Sequence, residues 1–313
     1  FVSINVFLSK KLPKKKDNFI SIISFKNEIS YFDNVLSTGL SSFGDEGFYE
    51  IWEVNDKVDH TKFNNINVST SKNYIFASSI IHNFISYEDL QLKIRDQYND
   101  FFKIAKRNNM TIVKIWHYIP DLLKKYSNKK TNYSLLCESR EDIYKKYYKD
   151  LSYPAATVIG IDGGKVLIYF LAVSCKNYKV IENIRQVSSY DYPQNIFIEK
   201  PMFSRAVKFL PLKETNEKIV ISGTASIKGY ESMHSNNLMK QLNEALENYK
   251  TFVDIENNKT NICRVYLSKA QESNSYSIVN ELDKIFDINR YLLLKGDICR
   301  KELLIELEGI SDA

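Results

Sequence analysis

Residues 203 to 232 read "FSRAVKFLPLKETNEKIVISGTASIKGYES": a Ser-Arg-Ala turn, a short apolar strand and a Ser-Gly-Thr-Ala-Ser run. The stretch holds no His, no Cys and no Gly-rich phosphate loop, so hydroxyls, one arginine and backbone amides are what it offers to chemistry. The rest of the chain narrows the choice further. Cys137, Cys175, Cys263 and Cys299 lie far apart with no CxxC pair, which argues against a disulfide scaffold and a zinc site. His60, His82, His117 and His234 are isolated as well, and no metal is expected. No Gly-x-Gly-x-x-Gly follows any strand, so a dinucleotide site has no support and no cofactor is expected.

Such groups need elements to position them. A chain of 313 residues, 44% hydrophobic and 13% aromatic, can bury one large core or two ordinary ones. No run of eighteen apolar residues occurs, and with separated cysteines a soluble protein of the reducing cytoplasm is expected, with no membrane partner. The 43 basic and 38 acidic residues leave a net charge of +5, spread along the chain except at "KKLPKKK". One basic heptapeptide makes no groove-spanning surface, so no nucleic-acid partner is expected.

Residues 88 to 106 place Leu90, Ile94, Tyr98, Phe101, Phe102 and Ala105 on one helical face, between the strand patterns "NYIFASSIIH" and "MTIVKIWHYIP". The order returns about 145 to 150 residues later, with "KIVISGTASI", "NLMKQLNEALENYKTFV" and "KTNICRVYLS". In the same way "NYSLLCESREDIYKKYYKD" precedes "AATVIGI" as "SYSIVNELDKIFD" precedes "RKELLIELEG". The pattern predicts an α+β fold of two halves, 1–160 and 161–313, each a mixed sheet with helices on one face. "FVSINVFLS" and "NFISIISF" open the first half in this reading, "KVLIYFLAVS" and "RAVKFL" the second.

Two resemblances rest on these runs. The order of elements, with "VISGTASIKG" and a final "LLIELEG", resembles the RidA/YjgF superfamily, small trimeric domains with ligand sites at their interfaces. From about residue 110 the chain is similar to the chorismatase family, which joins two RidA-like halves in one chain. The runs that carry this are "WHYIP", "YSLLCESR", "PAATVIG", "ENIRQVSSYDYP", "PMFSRA", "SGTASIKGYESMH" and "GDICRKELLIELEG". The first hundred residues share only the general order.

The resemblance implies cleavage of chorismate with release of pyruvate and either a hydroxybenzoate, usually the 3-hydroxy and sometimes the 4-hydroxy isomer, or a 3,4-dihydroxycyclohexa-1,5-diene carboxylate. Chorismate is an enol ether, labile once its terminal methylene is protonated. Such an enzyme needs a general acid and anchors for two carboxylates. The resemblance puts the acid at Glu306, on the strand face opposite Leu303, Ile305 and Leu307. It puts the carboxylate anchors at Arg140, Arg205 and Arg300, with Arg185 a weaker candidate and Tyr133 a hydroxyl donor two helical turns from Arg140. Gly223, Thr224 and Ala225 become a pocket wall where backbone N–H groups and the Thr224 hydroxyl approach the substrate. Cys299 goes with members that form 3-hydroxybenzoate, whereas Ala225 leans towards the hydrolytic type. The chain departs from the family at Ile196-Phe197-Ile198, where Tyr-Gly-Pro is usual, and at Tyr230, where His is usual. A RidA-type imine hydrolase and a non-catalytic aromatic-acid binder are the alternatives, and monomer and homotrimer are both compatible with the duplication.

Overall fold

The computed structural model describes the chain except residues 1–3, 15, 44–46, 127–129, 194–199, 256–259 and 288. Three sheets form in succession. The first contains β1 (Asn5–Ser9), β2 (Phe19–Ser24), β3 (Ile29–Phe32), β4 (Val35–Thr38) and β5 (Tyr49–Glu53), in the order β1-β5-β2-β4-β3.

The second sheet begins with β6 (Asp59–Phe63), β7 (Ile66–Thr70) and β8 (Tyr74–Ile81). Helix α1 (Tyr87–Arg107) leads to β9 (Thr111–Pro120), helix α2 (Asn132–Tyr147) to β10 (Ala155–Ile161), and β11 (Val166–Val173) closes the sheet in the order β10-β9-β11-β8-β7-β6. The third repeats this plan. It contains β12 (Cys175–Ile181), β13 (Ala206–Pro211), β14 (Lys218–Ala225), a small hairpin of β15 (Ile227–Lys228) and β16 (Glu231–Ser232), α3 (Leu238–Lys250), β17 (Thr260–Leu267), α4 (Ser275–Leu282), β18 (Tyr291–Lys295) and β19 (Ile305–Asp312). Its order, β12-β13-β14-β19-β17-β18, matches the second sheet strand for strand when read in reverse.

The α+β class and the repeat thus appear in the structure, but two sequence expectations need correction. The apolar strands at the N-terminus form a sheet of their own instead of opening the first repeat. The strand "VLIYFLAV" does not begin the second half. As β11 it lies antiparallel between β8 and β9, so the expected seam at 160 would cut one sheet at the end of β10 and part β11 from its neighbours. The chain passes to the third sheet between Val173 and Cys175. The reason is burial: every residue of β11 is buried, which suits the middle of a sheet and not an opening edge. The counterpart of "AATVIGI" is therefore β18, each running parallel to its neighbour, and the counterpart of β19 is β11.

Helices α1 and α2 cover one face of the second sheet with Leu90, Ile94, Phe101, Leu135 and Leu136, and α3 and α4 cover the third with Leu242, Leu246, Ile278 and Leu282. The opposite faces meet each other and the small first sheet in one core containing Trp52, Trp116, Tyr169, Val220 and Tyr266. Where the sheets meet, the Ala156 N–H at the edge strand β10 donates to Ser222 Oγ at 2.8 Å. The Ser222 hydroxyl in turn donates to the Ser204 carbonyl at 2.5 Å. Among the described residues no helix is long and apolar enough to cross a membrane.

Candidate active site

A cavity of about 710 Å³, its mouth included, opens at this junction. Its walls come from α2, β10, β14, β19 and the loops before β13 and β19. Of the sequence-predicted residues, Tyr133, Arg140, Arg205, Gly223, Ala225, Cys299, Arg300 and Glu306 all line it.

Thr224 does not, and the role expected for its hydroxyl is corrected. Thr224 is buried facing away from the cavity, paired with Leu307, and its hydroxyl donates to the Ser222 carbonyl at 2.9 Å. Period-two alternation decides this: residues on either side of Thr224 reach the cavity, so Thr224 cannot. Arg185 is also outside. It donates to Asn248 Oδ1 at 2.8 Å and pairs with Glu244, and so ties the loop before β13 to α3. Ile196-Phe197-Ile198 lies outside the described residues.

Glu306 belongs to an interior strand, β19, flanked by β14 and β17. It stands opposite Ala225, and the register slips between Ile221 and Thr224, so that Ser222 and Gly223 together oppose Glu308. This bulge brings Gly223 against the Glu306 side chain: a Cβ on residue 223 would lie 2.0 Å from Glu306 Oε1. Glycine is the residue that leaves room for the carboxyl. Burial, aided by the negative charge of Glu308, pushes Glu306 up to about 8 against the opposing pull of Lys114 and Arg205. A carboxyl kept protonated at neutral pH can donate a proton.

The three arginines alternate with two aromatic rings. Phe203 is shared by Arg140 at 5.9 Å and Arg205 at 5.2 Å, and Tyr192 by Arg205 at 5.7 Å and Arg300 at 5.6 Å. Arg205 Nη2 donates to the Val187 carbonyl and to the Tyr192 hydroxyl, both at 2.8 Å, while its Nε meets no acceptor among the described residues. Arg300 donates to the Tyr230 carbonyl at 2.9 Å and to Ser232 Oγ at 3.0 Å. The contact at 230 is to the backbone, so Tyr in place of the family's His leaves it intact. Arg140 is fully buried on α2, whose start is fixed by a reciprocal cap between Thr131 and Ser134. None of its three guanidinium nitrogens meets an acceptor at bonding geometry among the described residues, although the Tyr98 phenol lies alongside. A buried cation with unspent donors is costly unless a ligand supplies the acceptor.

Tyr133 and Cys299 complete the wall. Burial raises both, the Tyr133 phenol well above its ordinary range and the Cys299 thiol up to about 12, where the charge of Glu306 adds to it. Both keep their protons at neutral pH and can act as hydrogen-bond donors. The cavity therefore presents three arginines, a protonated carboxyl and neutral donors, a set that complements a dianion in charge and has a proton to give.

Residues that sequence reasoning passed over stand directly behind or within the wall. Tyr192, Phe203 and Thr157 lie inside the runs that carry the resemblance, which by itself assigns them no role. Lys114 lies mid-strand in "TIVKIW", and a lysine in an apolar strand was the available signal for a buried ion pair. Its Nζ lies 2.7 Å from Glu308 Oε2 and donates to Thr157 Oγ1 at 2.8 Å and to the Ile221 carbonyl at 2.6 Å.

Comparisons with known proteins agree with one another. Residues 50–172 match the sequence model of a family described as chorismatase FkbO/Hyg5-like, N-terminal. A 3-hydroxybenzoate synthase of Streptomyces hygroscopicus is 26% identical over 284 residues, which cover 85% of this chain and 82% of that protein. A chorismatase of Streptomyces rapamycinicus is 24% identical over 279 residues, covering 85% and 83%. A chorismatase crystal structure superimposes with a TM-score of 0.85 at 21% identity, over 99% of this chain and 100% of that one. The fold is that of the chorismatase structure, and the three comparisons together support the chorismatase FkbO/Hyg5-like family.

Proposed function

We propose that this protein is an enzyme that cleaves chorismate to pyruvate and a ring acid, with Glu306 as the proton donor. The observation that carries the reading is a buried carboxyl, held protonated to about pH 8, in one cavity with three arginines. The relatives named chorismatase and 3-hydroxybenzoate synthase support the substrate. We read the two six-stranded units as RidA/YjgF-like halves, supported by their matching strand order.

In this mechanism Arg140, Arg205 and Arg300 receive the two carboxylates of chorismate, and closure of the charge balance offsets the burial of the guanidinium groups. Glu306 protonates the terminal methylene of the enolpyruvyl group. The adjacent ether carbon becomes an oxocarbenium ion, stabilised by the Glu306 carboxylate just formed. Capture by water and collapse of the hemiketal release pyruvate and a dihydroxycyclohexadiene carboxylate. Alternatively the neighbouring ring hydroxyl displaces the ether oxygen from its ring carbon, the electrons of the broken C–O bond form the carbonyl of pyruvate, and opening of the resulting oxirane with loss of a ring proton to the Glu306 carboxylate leaves a hydroxybenzoate. We favour 3-hydroxybenzoate, because Cys299 lines the cavity and the relative of that name is among those matched. Ala225, also on the wall, is the feature that supports hydrolysis.

Incubation of metal-free protein with chorismate, followed by a coupled pyruvate assay and mass detection of the ring product, tests the proposal. The two products differ by the elements of one water molecule. Pyruvate is expected, with loss of turnover but retention of ligand binding in Glu306→Gln. Turnover surviving that substitution removes Glu306 as the acid, and absence of pyruvate from the unmodified protein removes the substrate assignment.

A further inference from the structure

Behind the cavity wall lies a second carboxylate that no step above uses. Glu308 follows Glu306 by two residues on the same face of β19, about 7 Å along the strand. It is 2% exposed but richly bonded. Thr157 Oγ1 donates to its Oε2 at 2.5 Å, Trp116 Nε1 and Arg264 Nη1 donate to its Oε1 at 3.0 and 3.2 Å, and the Tyr266 hydroxyl donates to it as well. Lys114 approaches from β9 and spends all three ammonium protons on Glu308, Thr157 and the Ile221 carbonyl. Arg264 is held in turn by both oxygens of Glu50, at 2.6 and 2.8 Å.

These four charged groups balance: Glu50 with Arg264, Glu308 with Lys114. Both of these ion pairs are thereby used up, so a negative charge on Glu306 would face Glu308 with only the cavity arginines, Arg205 among them, to offset it. We propose that Glu308 and Lys114 are positioning residues that set the protonation state of Glu306 from outside the cavity. The inference rests on the reading of Glu306 as the proton donor. Glu308 remains ionised: burial would raise it, but Lys114 and Arg264 hold it below the usual carboxylate range. Its negative charge opposes ionisation of Glu306, whereas Lys114 favours it. The other titratable or charged groups around Glu306 are Tyr266, its cross-strand partner on β17, and, across the cavity, Arg205 from the loop before β13, Arg300 and Cys299 from the loop before β19, Arg140 and Tyr133 from α2, and Tyr192; β14 brings Gly223 and Ala225 to the cavity and no titratable group.

The two partners of this ion pair must therefore act with opposite sign, which a merely structural role does not predict. In Glu308→Gln the alkaline limb of the kcat/KM profile is expected to move down by about one pH unit, a tenfold loss on that side. In Lys114→Met it is expected to move up. Limbs that stay in place or move the same way overturn the proposal. Either single change leaves a buried charge without its main partner, so the double variant Lys114→Met/Glu308→Gln serves if a single one fails to fold. Its limb is expected nearer the unmodified position than that of whichever single variant folds, because two opposed charges are removed together. A limb displaced further than that of the single variant overturns the proposal. Infrared titration of the Glu306 carboxylic acid band, assigned by difference from Glu306→Gln, needs no substrate. Opposed shifts there without chorismate turnover would refute the reaction and leave the device standing.

Discussion

Replacing Gly223 with alanine adds a single methyl group next to the proposed acid. The new Cβ would lie 2.0 Å from Glu306 Oε1 and 2.7 Å from Cδ, while ordinary contact begins at 3.4 Å. The carboxyl oxygen must retreat by the difference, about 1.4 Å. Backbone movement is a poor route, because β19 is paired on both sides at Glu306, with Ala225 and with Tyr266. The side chain must therefore rotate. A displacement of about 1 Å in a catalytic group costs roughly a hundredfold in rate, equivalent to about 2.7 kcal/mol of barrier. Overpacking a filled site adds about 1–3 kcal/mol of destabilisation. Steady-state pyruvate release should show kcat reduced about a hundredfold with KM for chorismate little changed, since the arginines are untouched. Gly164→Ala, where nothing lies within 4 Å of the added Cβ, is the control and should match the unmodified protein. A Gly223→Ala enzyme with kcat within about threefold of the original would refute the argument that this glycine exists to seat Glu306.

Arg140→Met should raise the thermal midpoint of the free protein, because it removes a buried cation with unspent donors, and raise KM about 10- to 100-fold through loss of a charge-assisted anchor; thermal shift with and without ligand separates the two effects. Thr224→Val should keep kcat within about twofold at a stability cost of about 1 kcal/mol, since the hydroxyl serves only the Ser222 carbonyl; a large loss of activity would return Thr224 to the cavity wall. The protonation of Glu306 also affects stability. Its folded value of about 8 exceeds the ordinary 4.5, so its stabilising contribution is complete below 4.5 and is lost as pH rises towards 8. Glu306→Gln escapes that loss, and urea unfolding should find it more stable than the unmodified protein by about 1–3 kcal/mol at the alkaline end, with the gap closing in acid.

The helices and most strands were legible because their signal is local. The apolar face from Leu90 to Ala105 and the alternation around Glu306 are properties of consecutive residues, and α1 and β19 form there. Motif resemblance extended this to single positions, and eight of the residues it named line one cavity. Strand partnership is not local. A wholly apolar run such as 166–173 fits the middle of either neighbouring sheet, and only pairing with β8 and β9 assigned it.

The sequence by itself determined which elements form, that they repeat, and which residue types are available: carboxyls, arginines and no metal-ligand spacing. Tertiary structure decided what those residues are chemically. Glu306 and Glu308 are two residues apart in one strand and look alike in the sequence. Packing gives Glu308 the ammonium of Lys114, 194 positions away in the chain, and gives Glu306 the space left by Gly223. Glu308 is thereby ionised and Glu306 protonated, because desolvation and nearby charge depend on distance in space and not along the chain.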